Sequence, residues 1–244
     1  MYGLVYNDPR LRQVVGDRGE AELAYQFIAA LFGFAAFVFF LVFLGASSRE
    51  RRSVGLALTT ITSIVCATYG IIIPNRLGLT FQDLNGNPLD IAPHWEALTC
   101  TPILIHIIGE ITKTRQMAFT TALWNYPIYV FGVIGMVVTS TPMSPLFLWL
   151  SMGSFSIVLK YVERHFSLAA ASGSTMGENG LFLAKCATYA GNWAPTIVYG
   201  MHRFEVIPFA QFVVLDGIGQ WAAKFIFGMI VLTSLGDRLV TKQD

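Results

Sequence analysis

The chain alternates long apolar stretches with short polar ones, and the apolar stretches are longer than a soluble core requires. Broken at charges, Pro and Gly, the pattern predicts spans over Ala21–Leu44, Val54–Pro74, Ile91–Ile111, Met117–Val138, Pro145–Val162, Leu181–Gly200 and Val206–Leu235. Each is near the roughly 20 residues with which a helix crosses the hydrocarbon core of a bilayer. Within that core every backbone N–H and C=O must be paired inside the segment, so continuous helices are expected. The expected fold class is an all-α membrane protein, a seven-transmembrane-helix bundle. It is expected to occupy residues 1–244 as a single domain, with any effector or channel domain on another chain. The one Ser/Gly-rich stretch, Ala169–Gly180, reads as a loop between the fifth and sixth spans.

Composition agrees. Hydrophobic residues make up 54% of the 244 and charged ones 13%, against about 25% charged in ordinary soluble domains. The bilayer is thus the first partner, and a net charge of +1 offers no field for nucleic acid. The first apolar stretch starts too late and runs too long for a cleaved signal peptide. Cys66, Cys100 and Cys186 lie in apolar stretches without CxxC or Cys/His spacing, which argues against a disulfide framework or a zinc site. Arg49, Arg51, Arg52, Lys113, Arg115, Lys160, Arg164 and Lys185 fall on one set of loops, with Arg238 and Lys242 following the last span, and the intervening loops hold only Arg76 and Arg203. The positive-inside rule then puts the N-terminus outside and the C-terminus in the cytoplasm.

Against this apolar background Lys224 stands out. It lies in the run Gln220-Trp-Ala-Ala-Lys224-Phe-Ile-Phe-Gly228, with no other ionisable residue between Asp216 and Asp237. A charge deep in a bilayer costs about 2.5–3.5 kcal/mol on insertion scales, and such residues face the bundle interior. The third span is the most polar, with His94, Glu96, Thr99, Cys100, Thr101, Pro102, His106 and Glu110. Glu96 and Glu110 are 14 residues apart, hence about 40° apart on one face and about 21 Å apart along it. Glu96 is the candidate partner for Lys224, either as a functional ion pair or as a structural salt bridge; a snorkelling lysine is the third reading.

Asn87-Pro88, Glu96, Thr101-Pro102 and Ala223-Lys224-Phe-Ile-Phe-Gly228 together resemble the microbial rhodopsins, seven-helix retinal proteins. The separation from Asn-Pro to Thr-Pro, and that from Pro208 to Lys224, match the family's spacing. The run Ile103-Leu-Ile-His106 is similar to the channelrhodopsin branch. The resemblance implies that Lys224 carries all-trans retinal as a protonated Schiff base and that Glu96 is its main counterion. It places Gln220, Cys100, Thr101, Pro195 and Trp193 at or near the cofactor, and it implies a homo-oligomer.

Departures from the family pattern bear on output. The family's arginine outside the counterion is Pro93 here, its second counterion is Gln220, and its internal proton donor aligns with Ile107, leaving Glu110 as an imperfect substitute. The aromatic after the counterion is Ala97. The pocket tryptophan of the sixth helix aligns with Gly191, unless a register shift brings in Trp193. Pro195 suits a kinked sixth helix. Asp216 reads either as part of an outer proton or ion network with Glu205 and His94, or as an interface residue without a role. His106 is either a proton relay or a packed core histidine. Asn125 and Tyr126 fall near the third-helix Thr-Pro motif, with Cys100 and Thr101 as candidate partners.

Three readings follow. The first is a non-enzymatic, light-responsive protein with a conformational output, a light-gated ion channel or a photosensor. The second is a light-driven ion pump, most plausibly for protons, with Glu96 as acceptor. The third is a seven-helix transporter without retinal, in which Lys224 merely pairs with Glu96.

Overall fold

The computed structural model describes residues 9–75, 77, 79–82, 88–138, 143–172, 176–203 and 206–236. Among them are seven helices that cover the predicted spans: α1 (Pro9–Gly45), α2 (Arg49–Ala67), α3 (Ala92–Ile111), α4 (Arg115–Val137), α5 (Met143–Ser172), α6 (Glu178–Arg203) and α7 (Phe209–Gly236), with α5 and α6 taking up both ends of the Ala169–Gly180 stretch expected as a loop. A π-helical turn, Thr68–Ile72, continues α2. The all-helical expectation gains one element between α2 and α3. There β1 (Thr80–Gln82) and β2 (Pro88–Asp90) pair antiparallel, with Phe81 opposite Leu89.

Local chemistry sets the helix ends. Ser48 caps α2 by accepting the Arg51 N–H at 3.1 Å, with Glu50 in the first turn against the helix dipole. At the end of α3, Lys113 takes the left-handed conformation with φ 57°. The Thr114 N–H reaches the Gly109 carbonyl at 2.8 Å and the Lys113 N–H reaches that of Glu110 at 3.3 Å, the double bond of a Schellman turn. This turn directs the chain into α4 after three residues, Thr112 to Thr114.

The core is apolar and close-packed. Ile28, Phe32 and Phe39 of α1, Leu58, Ile61 and Val65 of α2, Ile107 and Ile111 of α3, and Val231 and Leu232 of α7 are fully buried. Without a hydrophobic difference between lipid and protein, such helices associate through close approach at small residues. A Cβ on Gly109 would come within 2.6 Å of the Ala118 Cβ, and one on Gly135 within 3.0 Å of Leu148. Large apolar side chains point outward instead, Phe27, Phe34, Phe37 and Leu41 on α1 and Trp149 on α5 among them.

Among the described residues, five helices are long and apolar enough to cross a membrane on length and composition. The other two are α3, with buried Glu96 and half-buried Thr101, and α6, with half-buried Asn192.

Candidate functional site

The site lies where α7 meets α3. The Lys224 Nζ is 3.2 Å from Glu96 Oε1, and the side chains are 11% and 0% exposed. The ammonium also donates to Gln220 Oε1 at 2.8 Å and lies 5.5 Å from the centre of the Phe32 ring on α1. A buried cation in so little water needs such partners. Gln220 in turn donates to Asp216 Oδ2 at 2.7 Å. Residues 216, 220 and 224 stand four apart on α7, so one face presents a polar ladder that ends on Glu96. The second oxygen of Glu96 is buried without a hydrogen-bond partner among the described residues.

Residues around the pair follow from helix geometry. Cys100, one turn beyond Glu96, is fully buried and its thiol lies 3.8 Å from the Ile61 carbonyl of α2. Thr101 turns the other way, to the Tyr129 hydroxyl of α4 at 3.1 Å. The expected contact of Asn125 and Tyr126 with this motif is therefore displaced. Tyr126 is 43% exposed and Asn125 is buried, while Tyr129 makes the bond. Position 129 is one turn after Asn125, whereas Tyr126 is turned about 100° away.

The α6 wall differs from the tryptophan expectation. A Cβ on Gly191 would come within 2.6 Å of the Ala223 Cβ, next to Lys224, so nothing larger fits there. Trp193, two residues on and about 200° round the helix, is 42% exposed and packs edge-on against Phe155 of α5, with ring centres 5.4 Å apart. It does not replace the missing pocket residue by a register shift. Pro195 is half-buried inside α6.

Several path residues lie apart from this centre. His106, expected as relay or core, has its side chain 60% exposed, with Nε2 3.5 Å from Glu110 Oε1. It sits on the outward face of α3, between buried Ile105 and Ile107. Glu110 is held by Arg115 in an ion pair at the α3–α4 turn. His94 is half-buried in the first turn of α3, and the partner found for Asp216 is Gln220 rather than His94. Glu205 lies outside the described residues.

Residues that can hold a cofactor are thus Lys224, as the nucleophilic amine, and Glu96, as the carboxylate facing it. The unpartnered Glu96 oxygen and the neutral Gln220 fit a cationic group on the Lys224 nitrogen. The small residues Ala223 and Gly191 beside it keep that part of the wall low.

Solved structures share this arrangement of helices. The transmembrane domain and linker region of Salpingoeca rosetta rhodopsin phosphodiesterase matches with a TM-score of 0.83 at 17% identity, covering 98% of this chain and 78% of that one. Bromide-bound halorhodopsin from Halobacterium salinarum matches with a TM-score of 0.81 at 16% identity, covering 93% and 98%. The fold is that of the microbial rhodopsins. A light-driven proton pump, the Coccomyxa subellipsoidea rhodopsin CsR, matches this microbial rhodopsin fold with a TM-score of 0.76 at 20% identity, covering 88% and 96%. No protein-family model and no curated protein matches the chain. With five helices apolar enough to cross a membrane and the microbial rhodopsin fold around them, the chain is an integral, multi-pass membrane protein.

Proposed function

We propose that the chain is a retinal-binding, light-responsive membrane protein in which Lys224 holds all-trans retinal through a protonated Schiff base and Glu96 is the counterion. The observation that carries this reading is the buried pair itself, an amine 3.2 Å from a carboxylate of which the other oxygen is unpartnered. Bound retinal supplies a light-driven isomerisation that displaces the positive charge at the Lys224 nitrogen. Glu96 stabilises that charge in the dark, since a nearby carboxylate favours the protonated form, and it is the nearest acceptor when the charge moves. Gln220 orients the nitrogen through its 2.8 Å bond without neutralising it.

For the output we favour a conformational change, as a light-gated ion channel or a photosensor, over a fast outward pump. On α3, Ile107 is buried in the apolar core, and Glu110 is engaged by Arg115 at the far end. Apart from Glu96, that helix therefore offers no carboxyl group beside Lys224 among the described residues. A photosensor would act through an effector, and the likeness to the transmembrane domain and linker region of a rhodopsin phosphodiesterase supports that form of output. The pump reading is favoured by the direct bond between Lys224 and its acceptor.

Protein reconstituted with all-trans retinal tests the reading. A visible band in the wild type that is absent in Lys224→Ala supports it, and a wild type without any such band refutes it. Currents under illumination then separate a channel from a sensor.

A further inference from the structure

Two glycines of α7 fix how α1 lies against it. A Cβ on Gly217 would come within 2.2 Å of Ile28 Cδ1, and one on Gly228 within 2.5 Å of Phe39 Cζ. Each glycine is thus a socket for a side chain of α1. The sockets are 11 residues apart, and so are the side chains that fill them, which is close to three helical turns on either helix. Between the sockets the Trp221 indole N–H donates to the Leu31 carbonyl at 2.9 Å. Trp221 stacks on Phe225 with ring centres 5.0 Å apart, and Phe225 meets Phe39 of α1 at 5.6 Å.

This seam decides what α1 presents to Lys224. Phe32, next in the chain to Leu31, is fully buried, and the Lys224 Nζ lies over its ring, 5.5 Å from the centre. The face of an aromatic ring is the negative part of its quadrupole. A cation within about 6 Å of the ring centre is attracted to that face, more strongly where water is excluded. The same nitrogen is 3.2 Å from Glu96 on α3 and 2.8 Å from Gln220 on α7. A carboxylate, an amide oxygen and a ring face therefore reach it from three helices. Packing accounts for a large apolar side chain at position 32, but it is indifferent to the charge distribution of the ring.

We propose that Phe32 is a positioning residue of the retinal site, its ring face stabilising the positive charge on the Lys224 nitrogen alongside Glu96. The inference rests on the reading of Lys224 as the retinal site. The ring attracts the cation but cannot take its proton, so Glu96 remains the acceptor. A weaker ring face disfavours the protonated nitrogen, and the proton is then lost at lower pH.

Other groups act on the same nitrogen. Glu96 and Cys100 of α3, Tyr129 of α4 and Asp216 of α7 interact with Lys224 electrostatically. Tyr69, in the π-helical turn, faces Asp216, Glu96 and Tyr25 of α1, and Cys66 of α2 stands beside Gly33. From α6, Gly191 and Ala194 face this part of α7. Fluorine on the Phe32 ring changes none of these groups, whereas it withdraws charge from the ring face with little change of size.

A fluorinated series separates charge from packing. Retinal-loaded protein is made with phenylalanine or its mono-, di- or trifluorinated analogue at position 32, and the pH at which the visible band gives way to a near-ultraviolet one is read. The midpoint is expected to fall with each fluorine, by about one pH unit over the series, which corresponds to about 1.4 kcal/mol. Phe32→Leu is expected to lower it at least as far. In retinal-free protein with ¹⁵N-labelled lysine and ¹³C-labelled phenylalanine, solid-state NMR is expected to show a cross-peak between the Lys224 Nζ and the Phe32 ring. A midpoint that stays constant along the fluorinated series in protein that does form the visible band overturns the role of Phe32 and leaves the retinal reading intact. So does a fall in Phe32→Leu alone, or the absence of the cross-peak. A wild type without a visible band removes the retinal reading and the role of Phe32 with it.

Discussion

Lys224 and Glu96 stand 128 positions apart in the chain and 3.2 Å apart in space, each buried on a different helix. Breaking a buried pair by removing one partner costs about 3–5 kcal/mol, because the other charge is left uncompensated. Glu96→Gln therefore leaves a cation at Lys224 with, among the described residues, neutral Gln220 and the Phe32 ring beside it, since Asp216 is one step further along the ladder. At neutral pH the retinal-loaded variant is expected to absorb in the near ultraviolet rather than the visible. An absorption spectrum that stays in the visible would show that another carboxylate does the work of Glu96.

Gln220 is placed to take over that work. Its Oε1 is 2.8 Å from the Lys224 nitrogen, so the double variant Glu96→Gln/Gln220→Asp is expected to regain a visible band that Glu96→Gln alone lacks. The comparison needs only the two spectra at the same pH.

Close packing at Gly191 makes a separate prediction. An added methyl would meet the Ala223 Cβ at 2.6 Å, and overpacking of this kind costs about 1–3 kcal/mol. Gly191→Ala is expected to accelerate thermal loss of the visible band, and a tryptophan there to prevent its formation. Trp193→Phe, on the other side of α6, leaves the absorption maximum close to that of the wild type.

Glu163 ties α5 to α6, accepting from Lys185 Nζ and from the Tyr189 hydroxyl at 2.7 Å each. The charged partners are 45% and 35% exposed, and exposed pairs contribute only about 0–1 kcal/mol. Glu163→Gln should therefore lower thermal stability slightly and leave the absorption spectrum unchanged, as parallel melting curves and spectra would show.

Much of this was legible in the sequence, because a charge in an apolar stretch is conspicuous. Lys224, Glu96 and the seven spans needed only hydropathy and spacing. His165 was hidden by the same rule. The charges Glu163 and Arg164 ended the fifth apolar span at Val162, yet they interrupt only its apolarity, and the helix runs on to Ser172 with His165 turned inward. Tyr129 was hidden for the opposite reason, since an aromatic residue in an apolar helix reads as packing until its hydroxyl is seen against Thr101. Gly191 and Trp193 show that only the contact with Ala223 decides which residue of a helix faces the site.

The most direct test of the central claim is chemical. Retinal-loaded protein is treated with borohydride under illumination, which reduces a Schiff base to a stable amine, and the peptides are mapped by mass spectrometry. The account predicts a single retinyl adduct, on Lys224. An adduct on another lysine, or none in protein that has taken up retinal, would contradict it.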